Sequence, residues 1–390
     1  MQPQLSSAAQ QAPFRGRFGI AKIDITPPVG IYARNWGAAV HDVATSIHRP
    51  LTLTALVMAG GATGDESAAE RLVYLDADLG WWKTPETYQR FIGRLRSRTE
   101  LAEHQLIFAL SHTHAGPPLM RAEPELPGSE LLNAWMEELL EKSVAVIDDA
   151  RRTMSAGLLE WSLSRCGLAA NRDLPDPTEG SPRVICGLNP ALAADDTLVV
   201  GRITDEQGSI LGTLTNYACH PTTLAWDNQA ISPDYIGAMR ATVEQATHAP
   251  AMFMLGACGD LAPRLQYVGD PCVADRHGRE LAYATLAVLE HMDSAATALK
   301  YTETVESGAP LAVWRETSVE CSTSLRAKTG TVELPLKPWP TAEELEQQRA
   351  ACADRALEER LRRKRDIRRG VGDHDTFPLP IYAWRLGEAI

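Results

Sequence analysis

No stretch of this 390-residue sequence approaches the roughly 18 uninterrupted apolar residues of a membrane span, so no stable membrane insertion is expected. The N-terminus, MQPQLSSAAQQAPFRGRF, lacks the apolar centre of a secretory signal, which points to a cytoplasmic protein. The seven cysteines are odd in number and scattered, without a CxxC pair. That excludes a disulfide scaffold and a zinc ribbon. Basic residues are outnumbered: 38 Lys and Arg against 50 Asp and Glu leave a net charge of −12, which argues against a nucleic-acid partner. Also missing are a GxSxG elbow, a Walker glycine-lysine loop, an HExxH helix and a GxGxxG turn.

What is present suits a soluble globular protein with a large core: 44% of residues are hydrophobic and 23% charged. Residues 1–17 are polar and Gln/Ala-rich without periodicity, and are expected to form a disordered arm. Short apolar runs then alternate with helical patterns. Strands are expected at Gly19–Ile25, Leu51–Met58 and Leu72–Leu79, the second ended by a Gly60-Gly61 turn. Leu106–Leu110 and Ala251–Ala257 read as buried strands. Leu198–Thr204 and Ile210–Ala218, separated by DEQGS, read as an antiparallel hairpin.

Helices are expected after the Thr84-Pro85 and Ser232-Pro233 caps, over Ser129–Met154, and over Asp275–Met292. The basic run Arg360–Arg369 closes a charged helix expected over about 342–369, and reads as a solvated face. The expected architecture is α/β: a mixed parallel/antiparallel sheet with helices packed on its faces. It would occupy residues 18–300, with 301–390 an extension of the same domain that ends in a strand.

Three apolar strands each end in a polar motif: LIFAL in SHTHAGPP, TLTNYAC in His220-Pro221, and AMFMLGA in Cys258-Gly259-Asp260. Ligands bind outside the carboxyl ends of strands in sheets fed by helices, so the three ends make one candidate site. Two residues apart, His112 and His114 can face one side of an extended segment and offer imidazole to a metal. Alone, HxH equally describes two hydrogen-bonded loop histidines. His220, aimed from a strand end by Pro221, shifts the balance towards a metal. Zinc needs a third protein ligand, and spacing does not supply one. Asp260 positions water or a histidine in the functional reading and merely caps a turn in the plain one. Cys219 adjoins His220 but points to the opposite face of a strand, which suits a core residue better than a nucleophile.

The ordered set SHTHAGP, Asn171-Arg172, Asn189-Pro190, NYACHPTTL, SPDYIG and GACGDLAP, preceded by IDITPPVG, resembles the neutral/alkaline non-lysosomal ceramidase family and its bacterial relatives. The resemblance runs from about residue 18 to 292, with a fainter echo in YAWRLG. It implies a ceramidase-like fold and hydrolysis of an amide or related acyl bond by zinc-activated water. It further implies His112 and His220 as Zn2+ ligands and His114 as the residue that polarises the scissile carbonyl or transfers a proton. Arg172 would contact substrate. Asn171 beside it, and Arg264 at the end of GACGDLAPR, join it as substrate-binding candidates, with His114 and Asp260 as the catalytic pair.

Two departures qualify what the resemblance implies. The family has a serine in its GDxSP turn, where this chain has Ala262. The family also takes a glutamate and a tyrosine ligand from more C-terminal segments, the glutamate just after a strand like the one that begins here at Tyr382, whereas this sequence ends at Ile390. A two-imidazole site would hold zinc weakly, with Asp227 and Asp234 as internal substitutes for the missing ligand. The expected partner is a small molecule with an acyl or amide group, long-chain ceramide being disfavoured, and the sequence leaves homo-oligomerisation open. Two further readings stand beside the hydrolase: a catalytically inactive binding or scaffold protein, and a lactonase or sugar-processing hydrolase using the same metal site.

Overall fold

The computed structural model describes residues 12–60 and 70–390. The chain begins with β1 (Phe14–Asp24), a two-residue β2 (Ser46–Ile47), β3 (Thr52–Gly60), β4 (Arg71–Ala77), α1 (Pro85–Thr99), β5 (Leu106–Leu110) and α2 (Ser129–Arg152). It continues through β6 (Ser155–Arg165), β7 (Ala169–Asn171), β8 (Asp173–Pro175), β9 (Val184–Cys186), β10 (Thr197–Asp205), β11 (Ile210–Tyr217) and β12 (Ala230–Ile231). Next come α3 (Tyr235–Thr247), β13 (Ala251–Leu255), β14 (Leu261–Pro263) and α4 (Pro271–His291). The C-terminal part holds β15 (Thr297–Glu306), β16 (Pro310–Ser318), β17 (Leu325–Pro335), α5 (Ala342–Ala350), α6 (Arg355–Val371) and β18 (Thr376–Leu386). Among the described residues no helix is long and apolar enough to cross a membrane.

An eight-stranded mixed sheet organises the chain in the order β13-β11-β10-β6-β1-β3-β4-β5. Its two ends are parallel pairs, β11 with β13 and β4 with β5, and the strands between them run antiparallel. The expected hairpin is present: β10 and β11 pair antiparallel from Leu198↔Tyr217, and the Asp205 carboxylate accepts the N–H groups of Gln207 and Ser209 to shape the turn. Helices α1 and α2 cover one part of the sheet, burying Leu95, Trp135, Leu139 and Ile147 against Leu53, Val57 and Leu75. Helices α3 and α4 cover another, with Tyr235, Met239 and Leu281 against Val200, Tyr217 and Phe253.

The sheet is strongly curled. Phe14, Phe18, Leu56, Leu72, Leu214 and Met252, drawn from strands spread across its width, form one buried cluster on the concave side. In consequence the edge strand β13 approaches β4 and β5 at the other end. A buried ion pair marks the seam: Arg240 of α3 holds Asp76 of β4 through two bonds of 2.9 Å, and Asp76 also accepts the Phe253 N–H of β13 at 2.7 Å. This curl carries the carboxyl end of β5 to those of β11 and β13.

Several expected boundaries move. Of the expected N-terminal arm, residues 1–11 lie outside the described residues, but residues 14–17 open β1. Phe14 and Phe18 are each 1% exposed and meet edge to face at 5.9 Å, so apolar alternation starts earlier than the glycine-led reading placed it. The Gly60-Gly61 turn lies partly outside the described residues, with Gly60 ending β3. The single charged helix over 342–369 is two helices. Thr341 caps α5 with Glu344 in a reciprocal box, and Asp354 accepts the Leu357 N–H to start α6. The Arg365–Glu346 ion pair then folds one helix back on the other. Helix α4 begins at Pro271 under an Asp270 cap, so Asp275 is free to take Arg49 in two 2.7 Å bonds. Asp234, rather than Ser232, caps α3.

A candidate metal centre at the strand ends

Strand β5 stops at Leu110, and the chain turns at once: His112 has φ of 69° in the left-handed region. Its N–H donates to Leu79 O at 2.8 Å, tying the turn to the carboxyl end of neighbouring β4. The shared orientation of His112 and His114 therefore comes from a strained turn and not from strand alternation, as the sequence reading assumed. Thr113 Oγ1 donates to Ser232 O at 2.7 Å and locks the next residue in place. His220 leaves β11 by a different route, its N–H held by Leu261 O at 3.0 Å.

These backbones bring three imidazoles together. The ring centroids of His112 and His220 lie 4.6 Å apart, and those of His114 lie 5.2 and 5.4 Å from them. One nitrogen from each of the three falls within 4.8 Å of the others. The Nδ1 of His220 lies 3.0 Å from the carbonyl oxygen of Cys258. A carbonyl only accepts, so Nδ1 carries the hydrogen and the Nε2 lone pair is free. Both ring nitrogens of His114 are buried without a hydrogen-bond partner among the described residues.

Burial sets the charge state. Desolvation is the main cause that lowers all three histidines: His220 to about 4, His112 to a lesser degree, and His114 well below its ordinary value. The Arg172 cation adds to each shift, and the neighbouring rings add to those of His114 and His220. At neutral pH the cluster is three neutral imidazoles, the donor set zinc takes. The orphaned nitrogens of His114 and the oriented ring of His220 suit such an ion, and His114 adds a third imidazole that spacing did not reveal.

Around the histidines stands an aromatic wall that the sequence reading missed. Trp81 packs at 4.6 Å on His114 and 5.2 Å on His112, and Trp36 lies 4.9 Å from His114. Trp226 and Tyr267 stack at 5.7 Å and both meet Trp36 edge-on. One signal was available: Gly80-Trp81 follows β4 just as the histidine motif follows β5.

The remaining candidates separate by position. Strand β7 pairs with β14 through Leu261↔Asn171, which sets Asn171-Arg172 beside Asp260. The Arg172 guanidinium donates twice to Gly259 O, at 2.8 and 3.0 Å. The Asp260 carboxylate accepts from Asn171 Nδ2 at 3.4 Å and its carbonyl accepts the Arg172 N–H at 2.8 Å. Asp260 thus braces the Asn171-Arg172 segment and stands outside the histidine group. Arg264 is exposed beyond β14 and joins none of the contacts described around the histidines. Ala262 is buried in β14 opposite Ala170 and offers no polar group.

The internal substitutes resolve against metal binding. Asp234 is consumed by the N–H groups of Leu224 and Tyr235, and exposed Asp227 is outside the group. Cys219 is fully buried and its thiol is pushed well above the ordinary range by desolvation, which suits a core residue.

Residues 17–285 match the family described as neutral/alkaline non-lysosomal ceramidase, N-terminal. The chain belongs to this family. A curated relative, the neutral ceramidase of Pseudomonas aeruginosa, is 24% identical over 276 residues, 67% of this chain and 39% of the relative. The chain therefore spans about two-fifths of the length of the curated relative it matches. Among solved structures, the Pseudomonas aeruginosa neutral ceramidase shares the fold with a TM-score of 0.61 at 18% identity, covering 96% of this chain and 61% of that one. A structure described as ceramidase complexed with C2 gives 0.56 at 19% identity, covering 82% and 47%.

Proposed function

We propose that this chain carries the metal-binding and substrate-orienting parts of a zinc-dependent hydrolase that cleaves an amide or related acyl bond. The observation that carries the reading is the convergence of His112, His114 and His220, all neutral, with the His114 nitrogens otherwise unpartnered among the described residues. Family membership supports the reaction class. A zinc ion held by these imidazoles supplies a water of lowered pKa and an electrophile for a carbonyl oxygen.

The residues of the chain do the rest. Arg172, fixed by Gly259 O, presents a cation near the histidines where it orients a polar group of the substrate. Asn171 and Asp260 keep that arginine in place. The Trp36, Trp81, Trp226 and Tyr267 rings exclude water and give an acyl chain an apolar surface. Any His114 nitrogen left free of the metal lies where it can hold or pass a proton at the carbonyl.

The test is zinc content and hydrolysis of a short-chain N-acyl sphingoid base by the purified protein, beside His112→Ala and Arg172→Gln. We expect His112→Ala to lose zinc and turnover together, and Arg172→Gln to keep zinc while KM rises. A protein that binds zinc but releases no fatty acid from any N-acyl substrate, and does bind those substrates, would make it a binding protein instead.

A further inference from the structure

The molecule contains a cavity of about 680 Å³ apart from the histidine cluster, between α1, the start of α2, the segment after the histidine motif and α6. That volume lies within the range of small-molecule sites, about 300–1,000 Å³. The basic run on α6, which in sequence reads as a solvated face, sends Arg362, Arg363 and Arg369 to its wall.

The charges in this cavity are unbalanced, although the chain as a whole is acidic. Lys83, Arg90, Arg121, Arg362 and Arg369 line it, and none has a carboxylate ion-pair partner among the described residues. Most carboxylates that reach the cavity are already engaged: Glu359 by Arg363, Glu137 by Arg94 and Asp366 by Arg365. Among the lining carboxylates only Glu86 and Glu123 remain against these five basic side chains.

The floor is the more telling part. Lys83 Nζ donates to Asn35 Oδ1 at 2.9 Å and sits 4.0 Å over the Trp81 ring, so its direct contacts among the described residues are neutral, with Glu359 acting on it only through its charge. Arg362 is half-buried and donates to the buried Tyr32 hydroxyl at 3.4 Å, while Glu358 and Glu359 act on it only through their charge. Desolvation, then the positive charge of Arg363, lowers Lys83 to about 7. Partly buried cations whose direct hydrogen bonds go to neutral groups are costly unless an anion comes into contact with them. Phe91, Met120, Leu126 and Met136 supply an apolar wall beside them.

We propose that this cavity is a binding site for a phosphate-type oxyanion, held on its floor by Lys83 and Arg362 and drawn in by Arg90, Arg121 and Arg369 at its rim. Guanidinium groups match the oxyanion in a bidentate fork, and the rim cations raise its local concentration. The oxyanion can arrive as free phosphate or as the headgroup of an acyl-bearing amphiphile, whose stem the apolar wall accommodates. Through Lys83 and Trp81 the site lies one aromatic ring from His112 and His114. It does not depend on the hydrolase reading.

Calorimetric titration of the whole chain tests it, with sodium chloride at matched ionic strength as the reference. One arm uses inorganic phosphate; the other uses a phosphorylated short-chain N-acyl amino alcohol beside its unphosphorylated parent. Either phosphate compound should bind above the chloride reference. The Arg362→Gln/Arg369→Gln variant should bind roughly tenfold or more weakly, the loss expected for charge-assisted bonds. The exposed Arg276→Gln on α4 should not change binding. If the double variant fails to fold by circular dichroism, the exposed rim variant Arg121→Gln should still weaken binding and flatten its salt dependence. Binding in the phosphate arm assigns the free ion, and binding only in the amphiphile arm assigns the headgroup. Absence of binding in both arms, or unchanged binding in the folded cavity variants, overturns the site. Neither zinc nor turnover is read, so such a failure leaves the reading of the histidine cluster untouched.

Discussion

The carboxylate of Asp76 on β4 accepts the N–H of Phe253 on β13, at 2.7 Å, across the gap between the two ends of one sheet. Asp76 is wholly buried and Arg240 is 3% exposed. The bond holds the curl that brings the histidine-bearing strand ends together, so the site depends on a pair that never touches it.

Replacing Asp76 by alanine leaves the Arg240 guanidinium with Asp78 alone and the Phe253 N–H without its acceptor. We expect a loss of about 3–5 kcal/mol, the usual cost of breaking a buried pair. Urea unfolding measures it. A loss below about 1 kcal/mol would show that the seam is held by apolar packing instead.

Zinc retention separates the roles of the histidines. Metal analysis after dialysis should find the wild-type chain loaded and His112→Ala and His220→Ala empty. His114→Ala should bind zinc at least tenfold more weakly if its ring is a third ligand. A His114→Ala protein that keeps zinc as the wild type does, yet loses turnover, would return His114 to proton transfer alone.

Acid should weaken the metal-free fold through His277. This residue is 5% exposed, bonds Thr223 Oγ1 through Nδ1 at 3.0 Å, and is lowered to about 4 by desolvation. Its folded-state pKa lies below the unfolded value near 6.5, so the unfolded chain binds more protons between the two. Its contribution, on the order of 3 kcal/mol, is complete above about pH 6.5 and is lost as pH falls towards 4. Unfolding midpoints of apo protein should drop across that window, and the slope should be shallower in His277→Gln.

Helices α3 and α4 cross at Gly278, where an added Cβ would meet Tyr235 O at 2.2 Å. Tyr235 also donates its hydroxyl to Cys219 O, the residue before His220. Gly278→Ala should cost about 1–3 kcal/mol, as overpacking does, and lower zinc affinity by displacing that support. Thermal unfolding with and without zinc reads both effects.

Much of this was legible along the chain. Apolar alternation marked the strands, the DEQGS turn marked the hairpin, and His112, His114 and His220 were visible as polar ends to apolar runs. Several misread features were ends and breaks: Phe14–Arg17 as an arm, residues 342–369 as one helix, and Ser232 as a cap. Each turned on a local competition, such as Asp354 restarting a helix, that composition averages away.

The sequence by itself determined which residues could ligate, because neutral imidazole and carboxylate chemistry belongs to the side chain. It also determined the strands that carry them, because period-two burial is written in the residues. Only the tertiary structure decided that His114 joins the other two, that Asp260 braces Arg172, that Trp36 and Trp81 wall the site, and that the arginines of α6 face a cavity. Those relations span up to several hundred residues of chain. They arise from the curl of the sheet and the fold-back of α5 on α6, and side-chain periodicity carries no record of either.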